Sequence, residues 1–269
     1  MGYQHIEVER DGHVATLWLN RPDKNNAMSA DMWEDIPLAM AELDADESVR
    51  TVILAGRGPS FTVGIDIGLL GSMQPAADST AAANMRLYHL IKRMQRTAGC
   101  FADSPKPVIS AVHGYCLGAG MDLIAACDIR LASKDALFSI RETRMGLVAD
   151  IGTLQRLPAI VGAGPTAELA FSGKDIDADH ALRIGLVNTV AADHDAVLAA
   201  ARDLASQIAS NSPLAIQGVK KVLAANDGRT IEQALDFVAQ WNASYLISND
   251  LMEAVSAFIE KRDPEFKGT

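Results

Sequence analysis

The sequence has few of the residues and segments that define several classes of protein. Its three cysteines, Cys100, Cys116 and Cys127, are an odd number without CxxC spacing, which argues against a disulfide framework or a zinc site. It contains no run of eighteen apolar residues, so we predict no membrane span. The first residues lack the basic and apolar regions of a signal peptide, and the last lack a Ser-Lys-Leu ending. We therefore expect a cytoplasmic protein.

Positive charge is also scarce. Lysine and arginine number 24 against 34 aspartates and glutamates, a formal net charge of −10. Such a surface repels nucleic acid, and no cluster of Lys and Arg reverses the effect, so we expect no nucleic-acid partner. A polyanionic ligand would need donors and cations placed locally at its site.

The first two thirds of the chain alternate β-like runs with helical stretches. Asp11-Gly12, between two such runs, predicts a hairpin. Apolar runs over Thr51–Ala55 and Pro107–Val112 predict buried strands. We therefore predict an α/β core over residues 1–200.

From Ile151 onward the pattern is mostly helical. Ser212-Pro213 is typical of a helix start, with Ser at the cap and Pro in the first turn. We predict a separate helical region over residues 201–269. The apolar stripes of these late helices look too large for a monomer surface, and cover either the core or a neighbouring subunit.

Two turns lead from loops into helices with small residues at the junction. In the first, His113–Gly120, Gly118 and Gly120 follow a buried strand and open a helix, whose free N–H groups favour a developing negative charge. Leu123 occupies the place of the third glycine of a dinucleotide fingerprint, so we predict no nucleotide site of that kind. The second turn, Phe61–Ile67, has Gly64 beside a possible cap. Close packing and helix capping alone also account for both turns.

Three acids lie in largely apolar surroundings: Asp122, Glu142 and Asp150. A buried, unpaired carboxyl has a raised pKa, which suits proton transfer near neutral pH. Each acid also has a simpler interpretation. Asp122 complements a helix dipole, Glu142 pairs with Arg141 or Arg144, and Asp150 is the N-cap of a helix over residues 151–160.

These segments, in this order, resemble the crotonase superfamily (enoyl-CoA hydratase/isomerase) over nearly the whole chain. The shared landmarks are Asn20-Arg21-Pro22, Asn26-Ala27, Gly64-Ile65-Asp66, His113-Gly114, Gly118-Ala119-Gly120, Cys127-Asp128-Ile129, Gln155-Arg156-Leu157 and Phe258 to Phe266. The branch that the sequence resembles most is the Δ3,5-Δ2,4-dienoyl-CoA isomerases, through Met121-Asp122-Leu123 and the run from Gly146 to Pro158. Hydratases usually have glutamate at the position of Asp122 and no acid at that of Asp150.

The resemblance implies an α/β spiral of ββα units with a helical C-terminal trimerisation region, and a homotrimer or a hexamer of two stacked trimers. It implies an oxyanion hole formed by the backbone N–H groups of Ile65 and Ala119. The coenzyme A thioester would bind along Lys24, Asn26, Ala27, Val63, Gly64, Ile65, Asp66, Ile67 and Ala119. The resemblance implies no metal and no redox cofactor, because coenzyme A is part of the substrate.

The implied reaction is isomerisation of a 3,5-dienoyl-CoA to a 2,4-dienoyl-CoA. Asp150 would act near C2 and Glu142 near C6, while Asp122 polarises or orients this pair. We expect the flanking Arg141 and Arg144 to lower the pKa of Glu142. Two alternatives stay open: a hydratase that holds a water between Asp122 and Glu142, and a non-catalytic acyl-CoA-binding homologue.

Overall fold

The computed structural model describes residues 2–72 and 79–269. Its strands are β1 (Ile6–Asp11), β2 (Val14–Leu19), β3 (Thr51–Gly56), β4 (Val108–Val112), β5 (Tyr115–Leu117), β6 (Ile129–Ser133), β7 (Leu137–Ser139), β8 (Ile176–Asp177) and β9 (Thr189–Ala191). Its α-helices are α1 (Ala30–Ala45), α2 (Ile67–Ser72), α3 (Thr80–Asp103), α4 (Ala119–Ala125), α5 (Thr153–Val161), α6 (Ala163–Ser172), α7 (Ala178–Arg183), α8 (His194–Ala209), α9 (Pro213–Ala225), α10 (Ile231–Tyr245) and α11 (Asn249–Glu260).

The larger sheet has six strands in the order β1-β2-β3-β4-β6-β9. The predicted hairpin is confirmed, since β1 and β2 pair antiparallel with Asp11 opposite Val14. The other neighbours pair in parallel. Strands β3 and β4 are buried along their whole length, as their continuous apolar runs predict, and β2 is buried as well.

A smaller sheet has three strands in the order β5-β7-β8. Successive turns of the chain supply one strand to each sheet and then a helix: β4, β5 and α4, followed by β6, β7 and α5. Thr62 extends the smaller sheet through a parallel bridge to Cys116. This repetition is the expected succession of ββα units, although the sequence pattern predicted only a turn where β5 lies.

The predicted boundary at residue 200 is wrong, because it falls inside α8. One face of α8 places Val197, Ala201 and Ala205 against the outer face of the large sheet, where they pack with Ile53 and Ile109. The sheet therefore needs α8 to cover that face, and the helical region proper begins with α9.

The helices of the C-terminal region are capped as their sequences indicate. Ser212 accepts a hydrogen bond from the backbone N–H of Ala215, and Thr230 and Gln233 form a reciprocal capping box. Many apolar side chains of this region are exposed, among them Ile231, Ile247 and Phe258 at 80%, 88% and 85%. Within residues 2–72 and 79–269, no helix is both long enough and apolar enough to cross a membrane.

Candidate active site

An apolar pocket of about 640 Å³ opens between α3, the start of α4 and the segment that links β7 to α5. All but one of the predicted substrate-binding residues line it, namely Lys24, Ala27, Val63, Gly64, Ile65, Asp66, Ile67 and Ala119. The apolar walls come from Leu87, Leu90, Ile91, Met94, Leu117, Met145, Leu147 and Ile151. Glu142 and Asp150 also line this pocket, so the fold brings together two acids that are distant from the loops in sequence.

The loop of residues 62–66 is held against β5 by backbone hydrogen bonds. Thr62 donates its N–H to Tyr115 and accepts one from Leu117, at 2.8 and 3.1 Å. Gly64 is required at the closest approach, because its φ is +93° and an added Cβ would lie 2.8 Å from the Leu117 carbonyl oxygen. The same Cβ would lie 3.5 Å from the Ala119 backbone nitrogen, so the two predicted oxyanion-hole segments are neighbours.

The orientation of these two segments leaves their amides available. Met28 forms a parallel bridge with Ile65 by bonding to the Gly64 carbonyl and the Asp66 N–H, so the N–H of Ile65 points away from Met28. Ala119 is the first residue of α4, where a backbone N–H has no partner within the helix. Both residues line the pocket, and the geometry therefore suits binding of a carbonyl oxygen that becomes negative.

An ion pair joins Arg21 to the loop of residues 62–66. Arg21 donates to the Asp66 carboxylate at 2.5 Å and to the Ala27 carbonyl at 3.0 Å. The hydrogen bond from Arg21 holds the pKa of Asp66 below its usual range. Asp66 also accepts the Gly68 N–H at the start of α2. Asp66 thus has a structural role. Lys24, whose side chain is exposed, is a cation that also lines the pocket.

Asn26 is the one predicted binding residue that does not line the pocket. It is fully buried, its amide donates to the carbonyls of Arg57 and Ser60, and its carbonyl oxygen accepts the N–H of Arg21. All of these partners are protein backbone. Asn26 therefore holds the backbone of Arg21, Arg57 and Ser60 in place, and its prediction as a direct substrate contact is wrong.

Glu142 begins a short 3₁₀ helix after β7 and projects its carboxyl beside the oxyanion-hole segment. A Cβ added at Gly118 would lie 3.5 Å from Glu142 Oε1. Burial raises the pKa of Glu142, and the negative charge of Asp150 adds to this effect. Its Oε2 is buried without a hydrogen-bond partner in the described part of the chain.

The expectation that Arg141 and Arg144 lower the pKa of Glu142 is wrong. Arg141 turns to Asp175 and donates to both of its carboxylate oxygens, at 2.9 and 2.8 Å. The stem of Arg144 packs against Gly173. Sequence neighbours therefore do not pair here, and neither arginine offsets the rise that burial causes in the pKa of Glu142.

Asp150 is not the cap of the following helix. That helix begins at Thr153 with Gly152 as N-cap and without a side-chain cap. The backbone carbonyl of Asp150 accepts a 2.7 Å hydrogen bond from the Gln95 amide on α3, which fixes the segment on the pocket wall. Partial burial raises the pKa of the Asp150 carboxyl. Because Asp150 does not cap this helix, capping does not explain why its carboxyl lies in the apolar wall of the pocket.

Asp122 lies behind the pocket wall, in the first turn of α4, and is only 1% exposed. Its Oδ1 accepts both the backbone N–H and the hydroxyl of Thr153, at 2.7 and 2.6 Å. Burial raises the pKa of Asp122 to about 7, although the Thr153 hydroxyl lowers it and the charges of Glu142 and Asp150 raise it further. The three acids therefore interact electrostatically, while only two of them reach the pocket.

Thr153 and Gln95 are the site residues that sequence reasoning missed. Thr153 is the first residue of α5 and has the appearance of an ordinary helix position. Gln95 lies 55 residues before its partner, in the middle of α3. Neither carries a local signal, because the partner of each comes from another turn of the spiral. Among the described residues, no group of three or more His, Cys, Asp or Glu side chains is arranged to hold a metal ion.

Comparison with known proteins agrees with this geometry. Residues 9–269 match the family described as enoyl-CoA hydratase/isomerase. The chain is 43% identical over 265 residues to a mitochondrial Delta(3,5)-Delta(2,4)-dienoyl-CoA isomerase of Mus musculus, covering 97% of this chain and 81% of that protein. A peroxisomal protein of the same name from Arabidopsis thaliana is 42% identical, with 98% and 97% covered.

Among solved structures, an enoyl-CoA hydratase from Bacillus anthracis superposes with a TM-score of 0.90 at 29% identity, covering 99% of this chain and 100% of that one. The predicted fold class, an α/β crotonase fold with a helical C-terminal region, is thereby confirmed. The chain belongs to the enoyl-CoA hydratase/isomerase family, also called the crotonase superfamily.

Proposed function

We propose that this protein isomerises a 3,5-dienoyl-CoA to the 2,4-dienoyl-CoA by carboxylate-mediated proton transfer. The observation that carries the proposal is that Glu142 and Asp150 line the same apolar pocket, and neither forms an ion pair within the described part of the chain. The relatives from Mus musculus and Arabidopsis thaliana, which bear the name of this activity, support it.

The reaction begins with the thioester carbonyl bound by the N–H groups of Ile65 and Ala119. Asp150, ionised, takes a proton from C2, and the electron pair spreads over the carbonyl and the two double bonds as a dienolate. Each preorganised amide donor is typically worth roughly 3–4 kcal/mol at this stage. Glu142, protonated, gives its proton to C6, which leaves double bonds at C2 and C4. A proton is lost and a proton gained, so the product is an isomer.

The environments of the two acids suit these roles. A raised pKa makes Asp150 a stronger base than an ordinary carboxylate and keeps Glu142 protonated to a higher pH. The charge of Asp150 favours the protonated form of Glu142. The relay requires one acid to be ionised while the other is neutral, and this interaction acts in that direction.

The hydratase alternative requires Asp122 and Glu142 to hold a water between them. Asp122 is absent from the pocket lining, and its Oδ1 already accepts two hydrogen bonds from Thr153. These contacts favour the isomerase. In the non-catalytic alternative, the two carboxyl groups with raised pKa values in the pocket, Glu142 and Asp150, would have no function.

For the remainder of the substrate, we propose that the coenzyme A moiety lies along residues 21–27 and 63–67, with Lys24 as a phosphate partner and no further cofactor. We also propose that a second and third copy of this chain cover the exposed apolar side chains of α9 to α11, in a homotrimer or hexamer. A cytoplasmic location stays a prediction.

A panel of acyl-CoA thioesters with different double-bond patterns tests the proposed activity. The purified protein should convert a 3,5-dienoyl-CoA, followed by the absorbance of the conjugated product, much faster than it hydrates a 2-enoyl-CoA. Efficient hydration without isomerisation would establish the hydratase alternative. Binding of the thioesters without any turnover would establish the non-catalytic one.

A further inference from the structure

The carboxyl group of Asp122 is bound in an asymmetric way. Its Oδ1 accepts the backbone N–H and the hydroxyl of Thr153, at 2.7 and 2.6 Å. Its Oδ2 is also buried, yet it has no hydrogen-bond partner in the described ranges. A buried polar atom without a partner is rare and costs free energy, most of all when it is charged.

The hydrogen bonds to Oδ1 and the burial of Oδ2 act in opposite directions. The N–H and the hydroxyl of Thr153 both donate to Oδ1, and two donors favour the charged carboxylate. Burial of Oδ2 without a partner favours the neutral acid, because a proton removes the cost of a bare buried charge. The hydrogen bonds from Thr153 therefore oppose the neutral form that burial favours.

We propose that Thr153 is a positioning residue of the isomerisation, because its two hydrogen bonds hold Oδ1 of Asp122 and so control whether this acid is neutral or charged beside Glu142 and Asp150. The proposal rests on the proposed function of these two residues. Its consequence is that a neutral Asp122 adds no third negative charge behind the two acids of the pocket. A dienolate, itself negative, then forms without repulsion from a third carboxylate.

The electrostatics around Asp122 agree with this role. Burial raises its pKa to about 7, and the charges of Glu142 and Asp150 act in the same direction. Asp122 also acts on Cys116, whose pKa burial raises well above the usual range, so Cys116 stays a neutral thiol. The Thr153 hydroxyl opposes these effects by lowering the pKa of Asp122. Removing that hydroxyl should therefore raise it.

The matched variants are Thr153→Val, which keeps the shape and loses the hydroxyl, and Thr153→Ser, which keeps the hydroxyl. In ¹³C NMR titrations of aspartate-labelled protein, the Asp122 carboxyl is assigned by its absence in Asp122→Asn. It should titrate near neutral pH in the wild type and in Thr153→Ser. In Thr153→Val it should move upward by about one pH unit, the scale of a lost hydrogen bond to a charged group.

Turnover provides the second measurement. Activity should fall as Asp122 loses its proton, so the basic limb of the kcat–pH profile should move upward in Thr153→Val and stay in place in Thr153→Ser. In Asp122→Asn the amide oxygen can face Thr153 and the NH₂ can take the place of Oδ2. We expect this variant to lose about 10-fold in kcat, less than the 10²–10⁴-fold typical of a lost proton-transfer group.

Three results would overturn the proposal: an Asp122 carboxyl that titrates in the ordinary range, the same shift in Thr153→Ser as in Thr153→Val, or an Asp122→Asn variant as inactive as Asp150→Asn. If Thr153→Val does not fold, the titration of Asp122 in the wild type and the kcat of Asp122→Asn still decide. If the wild type does not isomerise the diene, the proposed function fails, and the titrations alone decide whether Thr153 controls the protonation of Asp122.

Discussion

The substitution Asp150→Asn separates a catalytic carboxyl from a structural one. Asparagine has nearly the same shape, and the structure gives Asp150 no capping role to lose, since Gly152 is the N-cap of α5. The hydrogen bond from Gln95 reaches the backbone carbonyl of Asp150 and survives the change. We therefore expect the free energy of unfolding to change little.

The loss of activity should be large. The amide introduced by Asp150→Asn cannot take the proton from C2, and removal of a positioned acid or base typically costs 10²–10⁴-fold, roughly 3–5 kcal/mol in the transition state. A second effect adds to this one. The charge of Asp150 helps to raise the pKa of Glu142, so Glu142 should ionise at lower pH in the variant. A smaller fraction of Glu142 would then hold the proton that C6 needs.

The assay is the conversion of a 3,5-dienoyl-CoA, followed by the absorbance of the conjugated 2,4-product, with circular dichroism as the test of folding. Asp11→Asn, an exposed aspartate at the β1–β2 turn, is the matched control and should retain full activity. Any side activity in hydrating a 2-enoyl-CoA should fall much less than isomerisation. A folded Asp150→Asn that isomerises normally would refute the proton relay.

Three further predictions concern the oxyanion hole, the buried acid and the assembly. Ala119→Pro removes one amide donor and should cost 10²–10³-fold in kcat, measured once circular dichroism shows an intact fold; near-normal activity would exclude Ala119 from the hole. The folded-state pKa of Asp122, about 7, lies above its unfolded value, so its ionisation destabilises the fold as pH rises from about 4 to 7. Asp122→Asn should therefore resist urea better than wild type at pH 8, by up to about 4 kcal/mol, with the gain shrinking towards pH 4; equal stability at both pH values would argue against the raised pKa. Light scattering should find a trimer or hexamer for the wild type and a smaller species for Phe258→Asp, whose side chain is 85% exposed in the single chain, and a monomeric wild type at micromolar concentration would refute the assembly.

The part of the fold that sequence predicts well depends on local patterns. The Asp11-Gly12 hairpin, the buried strand at Thr51 and the cap at Ser212 each have a physical signal within a few residues, and all three are confirmed. The strand β5 has no such signal. Its three residues, Tyr115–Leu117, are strand only because β7 and the Thr62 segment lie on either side of them.

The candidate site shows the same division. Glycines and acids at loop-to-helix junctions pointed to Gly64, Ala119 and the two pocket carboxyls, and the family resemblance assigned them roles. Contacts between turns of the spiral could not be predicted in this way. Arg141 was expected to pair with its neighbour in sequence, but it pairs with Asp175, and the partner of Asp122 proved to be Thr153.

The boundary of the core was also set by tertiary contacts. Helix α8 has the composition of the helices that follow it, and nothing in its sequence shows that it covers the large sheet. Its buried alanines, such as Ala201 and Ala205, are small enough for close approach to Ile53. The position of the large sheet in the folded chain determines which helix covers it.

The most direct test of the two-carboxylate relay is a single turnover of 3,5-dienoyl-CoA in D₂O with enzyme in excess. Glu142 then carries deuterium while Asp150 accepts the proton from C2. Nuclear magnetic resonance of the product should find a 2,4-dienoyl-CoA with deuterium at C6. A product with hydrogen at C6 would mean that one group carries the proton along the whole path, and a 3-hydroxyacyl product would mean hydration; either result would contradict the account.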